Sequence, residues 1–166
     1  MRRFTALLVV VSLLVLASPA GATTSRVDFT GTQQTVGIED PGDEWFSGPI
    51  HHVRDRQLLG VSMPDPSTGL PTGTTLGTLN FNIDTTTFHG RVWGEATLDY
   101  GDGGFETTFS GDISTADVPG GVLGELKVVG RGYGSFEGMQ LRATVNEVVL
   151  TGSATFEGTL FAPGDR

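Results

Sequence analysis

The stretch that decides the fold runs from Phe88 to Ile113, FHGRVWGEATLDYGDGGFETTFSGDI. Every second residue puts Phe88, Gly90, Val92, Gly94, Ala96, Leu98 and Tyr100 on one side, and His89, Arg91, Trp93, Glu95, Thr97 and Asp99 on the other. Successive side chains leave a pleated strand on opposite faces, so a period of two marks a half-buried strand. Asp102-Gly103 is a hairpin turn, and beyond it Phe105, Thr107, Phe109 and Ile113 resume the alternation. Centring the turn there pairs Tyr100 with Phe105, Leu98 with Thr107, Ala96 with Phe109 and Val92 with Ile113 on one apolar face.

Outward from this hairpin the phase holds. A turn at Thr85-Thr86 places Ile83 opposite Phe88, Phe81 opposite Gly90 and Leu79 opposite Val92, while Ile113 opposite Val122 leads into Leu126 and Val128. A one-residue slip would reverse every face, so this agreement predicts a four-stranded antiparallel meander over 79–130. Phe81 over Gly90 and Phe105 near Gly130 set rings against residues without side chains. Further strands are expected at 26–34, 50–62, 139–150 and 153–161, about eight in all, with long loops at 36–47 and 64–73. Val148 and Leu150 leave the phase of Met139 to Val145, which predicts a bulge at Asn146-Glu147 or, alternatively, a helical segment. The run Gly130 to Gly134 reads as a tight turn, not a dinucleotide fingerprint.

About eight short strands with interior glycines predict an all-β chain closed into an up-and-down antiparallel barrel, since closure buries one face and removes both edges. A β-sandwich is the alternative. An outer-membrane barrel is excluded by Glu95, Asp99, Glu106, Asp112, Glu125, Glu137 and Glu157, which break any lipid-facing band. Phe-Glu recurs at 105–106, 136–137 and 156–157, apolar in and acidic out.

The first 22 residues carry Arg2 and Arg3, an apolar run from Phe4 to Ala17 and the small-x-small triplet Ala20-Gly21-Ala22. That is the pattern of a signal helix cleaved after Ala22, its apolar run of 14 residues too short for the roughly 20 that span a bilayer. The expected organisation is therefore a signal peptide at 1–22 and a single barrel domain at 23–166, secreted or periplasmic by the general secretory route. The 166 residues hold 10 Lys+Arg against 19 Asp+Glu, a net charge of −9, which excludes the basic patch that nucleic-acid binding needs. No Cys is present, so disulfides, thiolate metal sites and lipid anchoring at Cys are all excluded.

Two stretches, Gly48-Pro49-Ile50-His51-His52-Val53-Arg54 and Gly130-Arg131-Gly132-Tyr133-Gly134-Ser135-Phe136-Glu137-Gly138-Met139-Gln140-Leu141-Arg142, together with Phe156-Glu157-Gly158 to Pro163, carry a resemblance. They resemble the secreted bacterial members of the allene oxide cyclase-like and dirigent-like barrel group. The resemblance implies an eight-stranded antiparallel barrel, often a homo-oligomer, with a cavity for apolar ligands. It carries over no catalytic residue.

Candidate sites follow from residue chemistry. Trp45, Phe46 and Trp93 are aromatics off the core face, suited to a binding surface. Arg54, Arg56, Arg131 and Arg142 stand out in an acidic chain; Arg54 and Arg142 are candidate ligand contacts, and one or two of the four are expected to point inward and pair with Glu125 or Glu137. Glu95 and Glu137 are the candidate acid and base of a cofactor-free reaction. The expected register opposes Asp99 to Glu106 beside Asp102, a candidate calcium site; a solvated acidic hairpin tip is the plainer reading. Glu39, Asp40, Asp43 and Glu44 read alike, and calcium is the one cofactor that the pattern leaves open. His51 and His52 are neighbours on a strand and point apart, which argues against a shared metal. The expected function is a non-catalytic binding module for an apolar or amphipathic small molecule or a protein partner. A cofactor-free cyclase or isomerase and a structural surface protein are the alternatives.

Overall fold

The computed structural model describes residues 25–114, 123–148 and 152–162. The signal reading at 1–22, and the roles given to Val122, Leu150 and Pro163, lie outside the described residues. Nine strands form one antiparallel sheet among the described residues: β1 (Ser25–Asp40), β2 (Asp43–Ser47), β3 (Ile50–Pro64), β4 (Gly73–Asp84), β5 (His89–Asp99), β6 (Gly103–Ser114), β7 (Leu123–Gly134), β8 (Gln140–Val148) and β9 (Ser153–Ala162). Their order is β1-β9-β8-β7-β6-β5-β4-β3-β2, and β1 also pairs with β3, so eight strands close into a barrel and β2 is an addition at the edge. Closure excludes the sandwich. No helix among the described residues is long and apolar enough to cross a membrane.

β1 achieves the closure by its length. Its first part, Ser25 to Gln34, pairs with β9, and Gly31 to Asp40 pairs with β3. The chain then turns at Gly42, φ 67°, and β2 continues along the remaining half of β3, from Asp43 opposite Arg54 to Ser47 opposite Ile50. The segment expected as a loop at 36–47 is thus mostly strand. The other expected loop, 64–73, holds one short 3₁₀ turn at Pro66–Thr68, capped by Asp65, whose carboxylate accepts from the Ser67 N–H at 2.9 Å. Leu70 from this loop packs onto the core.

The faces match the alternation except at Phe88, expected on the apolar face, which sits just before β5 at φ 61° and is 49% exposed. Each expected pairing in the meander is displaced by two residues. Leu98, not Tyr100, lies opposite Phe105; Val92, not Gly90, lies opposite Phe81; Gly124, not Val122, lies opposite Ile113. Apolar periodicity is blind to an even shift, because it leaves every side chain on its own face. Side-chain bulk decides the register. Phe109 lies over Gly94, Ile113 over Gly124 and Phe29 over Gly158; a Cβ on these glycines would stand only 2.7, 2.8 and 2.6 Å from the partner side chain. The ring-over-glycine rule holds with other partners than those expected.

Three further expectations are corrected. β8 pairs with β7 and β9 in unbroken register, so there is neither a bulge at Asn146-Glu147 nor a helix. Gly130 to Gly134 is the end of β7, opposite Gly103 to Thr107, and the chain reverses after it, at Ser135 to Gly138. The turn after β5 lies within Tyr100 to Gly103, where Tyr100 donates its N–H to the Gly103 carbonyl at 2.9 Å and Gly101 takes φ 99°.

Two apolar clusters fill the barrel. One gathers Phe29, Phe105, Leu141, Phe156 and Leu160; the other Val92, Ile113 and Leu126, with Phe81, Ile83 and Phe109 against them. Phe105 is fully buried, which contributes on the order of 2 to 3 kcal/mol. Phe136, from the turn after β7, folds back with its ring centroid 5.1 Å from Phe105 and 5.3 Å from Tyr100. Of the Phe-Glu pairs, Phe105 and Phe156 are buried and Glu106, Glu137 and Glu157 are exposed, as the pattern implies.

Candidate functional site

An eight-stranded barrel is just wide enough for side chains to fill it or to hold one small ligand. Where a bulky inward side chain faces a glycine, the space is filled. On β3, β4 and β5 the rule lapses: Gly60 faces Thr75, and Gly77 faces Leu58 on one side and Ala96 on the other. Of these residues Leu58 alone is large, and a cavity of about 140 Å³ opens between the two core clusters.

The cavity has two unlike walls. Leu98, Phe109, Leu126, Val128, Leu141, Val145 and Phe156 form the apolar one, on β5 to β9. Gln33, Thr35, Ser62 and Thr75 bring amide and hydroxyl groups from β1, β3 and β4, set among Phe29, Leu58, Leu59 and Leu79 of the same strands, with Ser62 directly opposite Gln33. The Thr107 hydroxyl, also in the lining, is satisfied by the Ala96 carbonyl at 2.8 Å. The Thr75 Oγ1 is sealed from solvent and meets no hydrogen-bond partner. Tyr100 closes the same lining, and burial pushes its phenol up to about 12. Among the described residues, no Asp, Glu, Lys, Arg or His lines the cavity.

A second cluster forms on the outside, where three of the candidate ligand residues meet. Between Val53 and Arg56 two residues of β3 face Asn80 alone, a bulge that sets Asp55 at φ 55° with its N–H donating to Asn80 Oδ1 at 3.0 Å. Arg54 thereby turns across the outer face. Its Nη1 donates to the carbonyls of Val53 at 2.7 Å and Phe81 at 3.0 Å, and its Nη2 to Asn82 Oδ1 at 2.8 Å. The guanidinium carbon lies 5.3 Å from the Trp45 ring and 4.8 Å from the Trp93 ring. Trp45 stacks on His52 at 4.9 Å, and His52 Nδ1 is 2.7 Å from Asn82 Oδ1. Arg54 has only donors, so the shared Asn82 atom is its oxygen and His52 carries a proton on Nδ1.

The neighbouring histidine faces the other way, as alternation requires. His51 stacks on Phe46 at 4.5 Å, meets Phe81 edge-on at 5.3 Å, and its Nε2 lies 2.7 Å from Glu44. Arg56 reaches the other Glu44 oxygen at 2.9 Å. The hydrogen bond from His51, with the nearby Arg56 charge, holds the Glu44 carboxyl below its ordinary range.

Other candidates fall elsewhere. Arg142 lies on β8 with its guanidinium 5.5 Å from the Phe161 ring, away from the Trp45 cluster. None of the four arginines pairs with Glu125 or Glu137: Glu125 pairs with Lys127 at 3.0 Å. Glu95 and Glu137 are both exposed, outside the barrel, so the expected interior acid and base are not interior. Asp99 lies opposite Gly104 and Glu106 opposite Thr97, so the register does not oppose the two carboxylates. Asp99 instead accepts the Gly101 N–H at 2.7 Å, and Asp102 the Ser135 hydroxyl at 3.1 Å. Among the described residues no three acidic or histidine side chains are placed to hold a metal ion, at the 99–106 tip or at 39–44.

Sequence reasoning missed the polar wall of Gln33, Ser62 and Thr75. The available signal was the small residues Gly60, Gly77 and Ala96, each in phase with an inward face but lacking bulk. Comparison with known protein families, curated proteins and solved structures finds no match.

Proposed function

We propose that this chain is an exported small β-barrel that works as a non-catalytic binding module, holding one small apolar or amphipathic molecule inside the barrel. The observation that carries this reading is the 140 Å³ cavity between two packed clusters, apolar on one wall and with hydroxyl and amide groups set among apolar side chains on the other. Binding sites are typically concave and apolar, with a few convergent polar groups. Among the described residues that line it there is no ionisable acid or base of ordinary strength, which favours binding over proton-transfer chemistry. The pattern at 1–22 and the likeness to the allene oxide cyclase-like and dirigent-like group add support for export and for an apolar ligand.

Native mass spectrometry of protein purified from its own host tests the proposal. A bound mass of small-molecule size, absent from an Ala96→Leu variant, is the expected result. A bare chain that also shows no thermal shift with any small alcohol or hydrocarbon would refute it.

A further inference from the structure

We infer that the interior ligand is uncharged, no larger than one ring or a short branched chain, and carries one hydroxyl or carbonyl oxygen that hydrogen-bonds to Thr75. This rests on the interior-binding reading above and narrows it to a ligand class.

Size comes first. A cavity of 140 Å³ is close to the engineered apolar cavity of about 150 Å³ that admits benzene, so the occupant has about ten non-hydrogen atoms or fewer. Long acyl chains and fused polycycles are too large. Charge comes second. Among the described residues no cationic side chain lines the cavity, so a carboxylate or phosphate entering the barrel would lose its hydration and find no counter-charge there. A neutral molecule loses far less.

The oxygen is the third element. Thr75 Oγ1 is enclosed and unpartnered, whereas the Thr107 hydroxyl is satisfied by a backbone carbonyl. A buried donor without an acceptor is a standing cost that a ligand oxygen removes. Thr75 lines the cavity, and a step of about 120° to another staggered χ1 rotamer re-aims its hydroxyl without giving up a hydrogen bond. Gly60, directly opposite Thr75 on β3, leaves the path clear, and Ser62 lies on the same wall. The apolar body of the ligand then rests against Leu98, Phe109 and Val128.

The test uses the full mature chain and three probes: cyclohexanol, toluene and cyclohexanecarboxylate, titrated by calorimetry at pH 7. Cyclohexanol and toluene are expected to bind and the carboxylate is not. In Thr75→Val the ratio of cyclohexanol to toluene affinity is expected to fall about tenfold. Ser62→Ala, a second variant with a different fold risk, is expected to lower the same ratio less. Carboxylate binding as strong as that of the alcohol, or an unchanged ratio in Thr75→Val, would overturn the ligand class while leaving interior binding in place. Failure of all three probes would instead remove interior binding itself, and this inference with it.

Discussion

Gly77 faces Ala96 across β4 and β5, and a Cβ built on the glycine would stand 3.2 Å from the alanine methyl. Phe109, Ile113 and Phe29 cover Gly94, Gly124 and Gly158, whereas on its β5 side Gly77 meets only a methyl, with Leu58 on its β3 side. Here small meets small, and the interior stays open.

Filling that gap separates binding from stability. Ala96→Leu adds three carbons at about 0.8 kcal/mol each when buried, set against an overpacking strain of about 1 to 3 kcal/mol. The expected outcome is a urea-unfolding free energy within ~1 kcal/mol of the parent and loss of cyclohexanol binding by calorimetry. A variant that still binds would place the ligand outside the barrel.

Arg54 sits on the outer face, so its role is separable from the interior. Arg54→Met removes three hydrogen bonds from a charged donor and the stacking on Trp45 and Trp93. A loss of about 2 kcal/mol in chemical unfolding is expected, with a change in tryptophan fluorescence and no change in interior ligand affinity. Lysine, a point charge without the planar fork, is expected to rescue little.

Tyr100 ties stability to alkaline pH. Its folded pKa, raised by burial to about 12, lies above the unfolded value near 10, so the folded state holds the proton more tightly. The resulting stability is whole below about pH 10 and is lost as pH rises toward 12. Tyr100→Phe is expected to flatten the fall in melting temperature over that window, and ultraviolet titration of the parent should show a phenol ionising near the upper limit.

Glu44 works in the opposite direction. Its carboxyl is held low, first by the His51 hydrogen bond, so its contribution is present above the unfolded value near 4.5 and is lost as pH falls through the lower folded value. Glu44→Gln is expected to lose less stability than the parent between about pH 5 and 3 in thermal melts. Because the carboxylate is exposed, added salt should shrink the difference.

Much of this fold was legible in the chain order of residues. Alternation from Leu79 to Val128 determines which side chains face inward, because a pleated strand has a strict period of two, and the outward glutamates follow from the same rule. The acidic charge and the absence of Cys needed no structure at all. Register was not legible, since a shift of two preserves every face; only the fit of Phe109 over Gly94 and Ile113 over Gly124 selects it. The same shift dissolved the Asp99, Asp102 and Glu106 candidate.

The site depended on the third dimension still more. Pairing of β3 with β4 brings Ser62 and Thr75 together, and Gln33, far from both in the chain, joins them only because β1 closes onto β3. Likewise Trp45, Arg54 and Trp93 meet through the break at Gly42 and the bulge at Asp55, both local departures from regular strand that periodicity does not encode. Local chemistry determines the two faces of each strand, while closure of the ring decides which residues stand across the interior from one another and where it is left unfilled.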